Sequence, residues 1–215
     1  MKIVFFDLDG TITDPKEGIT KSVAYALDKY GIHVEDLDSL CPFIGPPLHV
    51  SFQEFYGFDA GKSMEAVKYY REYYREKGIY ECYLYEGIPE LLKHLKEKGD
   101  KVVLATSKPT EFAKQLLEHF DIMKYFDYVS GSTMNGSRVE KADILRHALR
   151  KYEDVPKEDM IMVGDRKFDS LGASEVGIRC ILVEYGYGEL SELEACKPLA
   201  IRKTVKEVQN FLDSI

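Results

Sequence analysis

"FFDLDGTITD", Phe5 to Asp14, takes an apolar run that begins at Ile3 into two acids two positions apart, then a glycine. A strand reading "IVFF" (3–6) has no structural use for two negative charges at its exit. Asp7 and Asp9, spaced i and i+2 on an extended segment, point roughly the same way. In an open α/β sheet, ligand sites lie beyond the carboxyl ends of strands, so the pair stands where such a sheet does its chemistry.

The rest of the chain supplies that sheet. Short apolar runs recur at 102–105 ("VVLA"), 128–131 ("YVSG"), 160–163 ("MIMV") and 180–183 ("CILV"). Their hydrophobicity is continuous, which means burial on both faces, the pattern of parallel strands covered by helices. Between them "GIPELLKHLKEKG", "EFAKQLLEHF", "KADILRHALRKY" and "TVKEVQNFLDSI" carry apolar residues at helical intervals. Pro89 near the start of the first and Gly99 after its end mark helix termini. The expected fold is α/β: a doubly wound, mainly parallel sheet of Rossmann type.

One interval breaks the rhythm. Positions 7 to 101, about 95 residues, separate the first strand from the next, far more than one crossover needs. "KEGITKSVAYALDKYG" and "SMEAVKYYREYYREKG" read as helices, with "CPFIGPPLHV" between them as a turn into a third. The expected organisation is a core of residues 1–14 and 83–215, with a helical domain of residues 15–82 inserted. The tyrosines at 69, 70, 73 and 74 read as a packed helix face, and a stacking platform for a nucleobase is the less favoured use.

Composition excludes several classes. Of 215 residues, 29 are basic and 37 acidic, a net charge of −8 that disfavours a nucleic-acid surface. No apolar run reaches the length of a membrane span. "MKIVFFDLDG" lacks the central run and cleavage site of a signal peptide, so a cytoplasmic location is expected. Cys41, Cys82, Cys180 and Cys196 are too scattered for a zinc site and read as packing thiols.

Other strand ends are equally suggestive. "VVLATSKP" runs into Thr106, Ser107 and Lys108, "MIMVGDRKFD" runs into Asp165 and Asp169, and Lys141 opens "KADILRHAL". If these strands are neighbours, four carboxylates converge with hydroxyls and a lysine, and at close range each pair of like charges costs a few kcal/mol at an effective dielectric near 20. A cation relieves that cost; oxygen ligands and a phosphate to share favour Mg²⁺. Thr106 and Ser107, with amides around Gly10 and Thr11, would donate to the phosphate. Asp7, ionised at neutral pH, can attack phosphorus, and Asp9 can serve as acid and then base. The spacing is not that of an EF-hand, because Gly10 comes too early and position 18 is Gly.

"DLDGT", the Thr closing "VVLAT", a later lysine and "GDRKFD", in that order, resemble the four motifs of the haloacid dehalogenase-like hydrolase superfamily, and the insertion resembles its first type of cap. The resemblance implies Asp7 as nucleophile and Asp9 as general acid/base. It implies Thr106 and Lys141 as phosphate ligands, with Lys108 a competitor for the lysine role. Mg²⁺ would be held by the Asp7 carboxylate, the Asp9 backbone carbonyl and Asp165, with Asp169 supporting its water shell. "FIGPPL", "ATSKP" and "YGYGE" look most like the phosphoglycolate phosphatase and 5'-nucleotidase-like branch. The expectation is an Mg²⁺-dependent phosphatase of a small phosphorylated metabolite, a monomer or homodimer that binds neither nucleic acid nor membrane. A β-phosphoglucomutase-type phosphotransferase and a receiver-like phosphoacceptor are the alternatives.

Overall fold

Each of the five apolar runs forms a strand, and they lie side by side in one parallel sheet. The structure, a computed structural model, describes residues 1–134 and 136–215. The strands are β1 (Ile3–Phe6), β4 (Lys101–Pro109), β5 (Tyr128–Ser132), β6 (Met160–Gly164) and β7 (Arg179–Val183), and a sixth, β8 (Ala200–Arg202), adds an edge. β2 (Thr13–Asp14) and β3 (Tyr83–Leu84) are two-residue strands where the chain leaves this core and returns to it.

The sheet order is β5-β4-β1-β6-β7-β8, and all five neighbouring pairs are parallel. From β1 the chain passes to β4 and β5 on one side, then crosses to β6 on the other. That reversal puts the topological switch point at the carboxyl end of β1, where open α/β sheets bind ligands.

Both faces of the sheet are covered. Ile3, Phe5, Val103, Ala105, Met160, Met162, Cys180 and Leu182 pack with residues of α6 (Lys141–Leu149), α7 (Lys167–Val176) and α8 (Leu190–Ala195). Residues of the opposite parity, Val4, Phe6, Leu104, Ile161, Val163 and Ile181, are as fully buried, which explains why the runs are continuous rather than alternating. The remaining core helices are α4 (Ile88–Glu97), α5 (Thr110–His119) and α9 (Val205–Ser214). Pro89 lies in the first turn of α4, and Gly99, at φ 81°, follows its end. No apolar run announces β8: its three residues, "AIR", are half-buried at the sheet edge.

The chain divides into two compact units, Met1–Asp14 with Leu84–Ile215, and Pro15–Tyr83. The second contains α1 (Lys16–Asp28), α2 (Leu48–Tyr56) and α3 (Ala60–Glu76). "CPF" ends a 3-10 segment, Leu37–Phe43, rather than a plain turn. Tyr70 and Tyr74, one turn apart on α3, stack at 5.3 Å and are buried, while Phe43, Phe52 and Phe58 form a second aromatic cluster. These tyrosines pack the unit's own interior.

Candidate active site

Asp7 follows β1 directly, and its amide still donates to Val163 O at 2.9 Å, so its backbone is held by β6. The chain then turns tightly: Leu8 O accepts from the amides of Ile12 and Thr13, each at 2.9 Å. Gly10 adopts φ +83°, and a Cβ there would lie 2.1 Å from Asp165 Oδ2. Both conformation and space therefore require glycine after the second acid.

Asp165 comes one residue after β6 and is fully buried; Tyr187 N donates to its Oδ2 at 2.8 Å. Thr11 Oγ1 makes a long 3.4 Å bond to Oδ1. Asp169, in the first turn of α7, accepts from Arg166 N at 3.1 Å, a helix-start bond that favours a carboxylate. Gly164 has no side chain because one would overlap Asp169, with a Cβ 2.2 Å from its Cγ. One oxygen each of Asp7, Asp165 and Asp169 lies within 4.8 Å of the others, and all three residues are buried.

Lys141 begins α6, an unfavourable end of a helix for a cation, which its surroundings offset. Its Nζ donates to Ala105 O at 3.0 Å and forms ion pairs with Asp7 Oδ1 at 2.9 Å and Asp169 Oδ1 at 2.7 Å. Apart from this ammonium, neither of these two buried oxygens has a hydrogen-bond partner among the described residues. Lys108 is paired elsewhere, Nζ to Asp9 Oδ1 at 2.6 Å. The two lysines that compete for one role in the sequence each hold a different acid of the DLD pair. Asp9's carboxylate is not one of the three that converge. Thr106 is buried within β4, where the pairing with β5 shifts register, and its Oγ1 accepts from Lys108 N at 3.2 Å; Ser107 beside it is half-buried.

Four carboxylates against two ammonium groups leave an excess of two negative charges. Burial, then Asp169 and Asp7, push the Asp165 carboxyl well above the usual carboxylate range. Burial also raises Asp169, with Lys141 opposing it, and raises Asp9, with Lys108 opposing it. For Lys141 burial favours the neutral amine, and the Asp169 and Asp7 charges outweigh it, holding the ammonium above its ordinary value. A dication among the three acids would favour their charged forms and so offset the upward shifts at Asp165 and Asp169. The all-oxygen donor set and its excess of negative charge fit Mg²⁺.

Reading the sequence for side-chain chemistry missed Tyr187, whose contribution is a main-chain N–H, and Thr11 as a partner of Asp165. The available signal was "YGYG" (185–188) directly after a strand, two glycines marking close backbone approach.

Sheet order, the insertion after the first strand and the acid cluster at the switch point define a class, the α/β phosphohydrolases. A sequence model of the haloacid dehalogenase-like hydrolase family matches residues 4–183, and the chain belongs to that family. A 5'-nucleotidase of Pseudomonas aeruginosa is 44% identical over 211 residues, spanning 98% of this chain and 95% of that protein. A tyrosine-protein kinase, PtkA of Mycobacterium tuberculosis, is 38% identical over 214 residues, spanning 98% of this chain and 72% of that one. The crystal structure of a predicted phosphatase from Clostridium acetobutylicum matches with a TM-score of 0.96 at 45% identity, covering 100% of this chain and 99% of that chain. The chain is an enzyme, a phosphatase of this family. No helix among the described residues is long and apolar enough to cross a membrane.

Proposed function

We propose that the enzyme is a Mg²⁺-dependent phosphomonoesterase of small phosphorylated metabolites, 5'-nucleotides first among them, working through a phosphorylated Asp7. The observation that carries this is the division of the DLD pair: Asp7 stands in the acid triad with Lys141, while Asp9 stands outside it against Lys108. Two carboxylates in different surroundings can perform different tasks.

In the first step an Asp7 oxygen attacks phosphorus, the bond to the ester oxygen breaks, and Asp9 gives the departing oxygen its proton. In the second, water attacks the phosphorus of the aspartyl-phosphate, Asp9 takes a proton from it, and the bond to Asp7 breaks to release phosphate. Lys141 fixes the Asp7 carboxylate for in-line approach and offsets charge on the transferring group, and Thr106 and Ser107 offer hydroxyl donors to its oxygens. Mg²⁺, held by Asp7, Asp165 and the Asp9 carbonyl with Asp169 beside them, would supply electrostatic stabilisation of the phosphoryl oxygens. In the same reading, the helical unit Pro15–Tyr83 serves as the cap.

Likeness to the Pseudomonas 5'-nucleotidase supports the substrate class over phosphoglycolate. Likeness to the mycobacterial kinase supports a second reading, in which the phosphoryl group passes from Asp7 to an acceptor hydroxyl rather than to water. Phosphate release from nucleoside monophosphates, phosphoglycolate and sugar phosphates, with and without Mg²⁺, tests both. The expected result is Mg²⁺-dependent phosphate release, fastest with nucleotides and absent in Asp7→Asn. Activity retained in that variant would end the mechanism, and transfer to an added alcohol in place of free phosphate would favour the second reading.

A further inference from the structure

The turn that follows β7 takes no part in the steps above, yet it lies against the acid triad. Tyr187 N donates to Asp165 Oδ2 at 2.8 Å, and the phenol of the same residue donates to Asp14 Oδ1. The Tyr185 phenol donates to Thr11 O at 3.0 Å, and its ring packs edge-on against Tyr85 at 4.8 Å. A Cβ on Gly186 would sit 2.3 Å from Asp165 Cβ and 2.4 Å from Gly10 O, and one on Gly188 would sit 2.1 Å from Asp165 O. Neither glycine has a left-handed backbone, so both are there for space rather than for conformation.

A segment with two glycines in four residues is costly to order, and here both of its tyrosines are fastened at their far ends. Their anchors are informative. Thr11 lies in the turn after Asp7 and Asp9, Asp14 is the last residue before the inserted unit, and Tyr85 is the second after it. The amide that meets Asp165 is thus fixed from the same stretch of chain that carries the two DLD acids. With Oδ2 engaged by that amide at 2.8 Å and Oδ1 holding only the long 3.4 Å bond from Thr11 Oγ1, Oδ1 is the oxygen of Asp165 more open to a cation.

We propose that Tyr185–Gly188 is a positioning strap: by filling one oxygen of Asp165 and pressing on its backbone, it sets the carboxylate orientation on which divalent-cation affinity depends. The strap rests on the reading of Asp7, Asp165 and Asp169 as a cation site. Partners of metal-ligating groups are commonly worth about 10- to 100-fold in metal affinity.

The test is isothermal titration of Mg²⁺ into the full chain without substrate, for the wild type, Gly186→Ala and Tyr187→Phe, each checked for folding by its metal-free unfolding midpoint. Gly186→Ala should weaken Mg²⁺ binding by about 10-fold or more. Tyr187→Phe, which keeps the ring and removes the hydroxyl that anchors it to Asp14, should weaken it several-fold. The Mg²⁺ concentration for half-maximal phosphatase activity should rise by the same factors, with the substrate KM at saturating Mg²⁺ unchanged. If Gly186→Ala does not fold, Tyr187→Phe carries the test. Wild-type Mg²⁺ affinity in a folded Tyr187→Phe would overturn the strap. A wild-type chain that takes up no Mg²⁺ would overturn the cation site itself, and the two failures are distinguishable.

Discussion

Replacing Asp9 by Asn separates the two half-reactions. The side chain keeps its shape, and its carbonyl can still accept from Lys108 Nζ, 2.6 Å away in the wild type, so the loop from Leu8 to Thr13 should hold. What is lost is the proton. General acid–base catalysis is worth about 10²- to 10⁴-fold, or roughly 3–5 kcal/mol of barrier. That cost falls unequally: p-nitrophenolate leaves without protonation, whereas a nucleoside or sugar alkoxide does not. With p-nitrophenyl phosphate the variant should therefore phosphorylate Asp7 at near wild-type rate and then stall, because no base remains to activate water. Stopped-flow absorbance should show a burst of p-nitrophenolate approaching one equivalent per enzyme, followed by turnover about 10²- to 10⁴-fold slower than wild type. With a nucleoside monophosphate the burst itself should disappear. A second consequence is structural. Asp9→Asn removes the negative charge 2.6 Å from the Lys108 ammonium, only 5% exposed, and breaking a buried pair costs roughly 3–5 kcal/mol. Asp9→Asn with Lys108→Met should recover that stability in urea unfolding and recover none of the turnover. Equal slowing of burst and steady state with both substrates would refute the assignment of Asp9 as the proton carrier.

Two further outcomes follow from the charges. Mg²⁺ at 100 times its dissociation constant should stabilise the wild type by about 2.7 kcal/mol, seen as a raised unfolding midpoint; the gain should vanish with EDTA and be largely lost in Asp165→Asn. At Asp127 burial works upward, but Lys96, the Val102 amide at 2.9 Å and Lys101 outweigh it, so the folded carboxyl sits below its unfolded value. The resulting stability is present above the unfolded pKa and is lost as pH falls through the folded one. Acid unfolding between about pH 5 and pH 2 should thus lose part of its pH dependence in Asp127→Asn, and an unchanged acid slope would count against the anchor.

How far the sequence could be read depended on where each instruction is carried. Burial on both faces leaves a continuous apolar run, which is why β1, β4, β6 and β7 stood out; β8 has one half-buried face at an edge, and three residues of mixed character give no period to detect. The inserted unit showed itself through spacing, since no single crossover spans positions 7 to 101. Within the site, acids at strand ends were legible because a charge beside a buried strand needs a reason. The division of labour between Lys108 and Lys141 was not, because one lysine late in a strand and another opening a helix look alike in sequence, and only the fold decides that one reaches Asp9 and the other Asp7 with Asp169.

The strap is the harder case, and it shows what kind of information a linear reading overlooks. Tyr187 acts through a main-chain N–H that every residue but proline has, so nothing in its side chain advertises a bond to Asp165. Gly186 and Gly188 act by lacking a Cβ, and a missing group has no chemistry to recognise. "YGYG" therefore invites comparison with glycine-rich nucleotide loops, where glycine also admits close approach, but the object approached here is the protein's own carboxylate rather than a phosphate. The same logic holds at Gly10 and Gly164, whose absent side chains leave room for Asp165 and Asp169 respectively. Acids repelling one another converge here because the backbone around them has been cleared and their lysines fixed by helix and strand ends. A residue-by-residue search for catalytic side chains finds the charges and overlooks the clearances that let them meet.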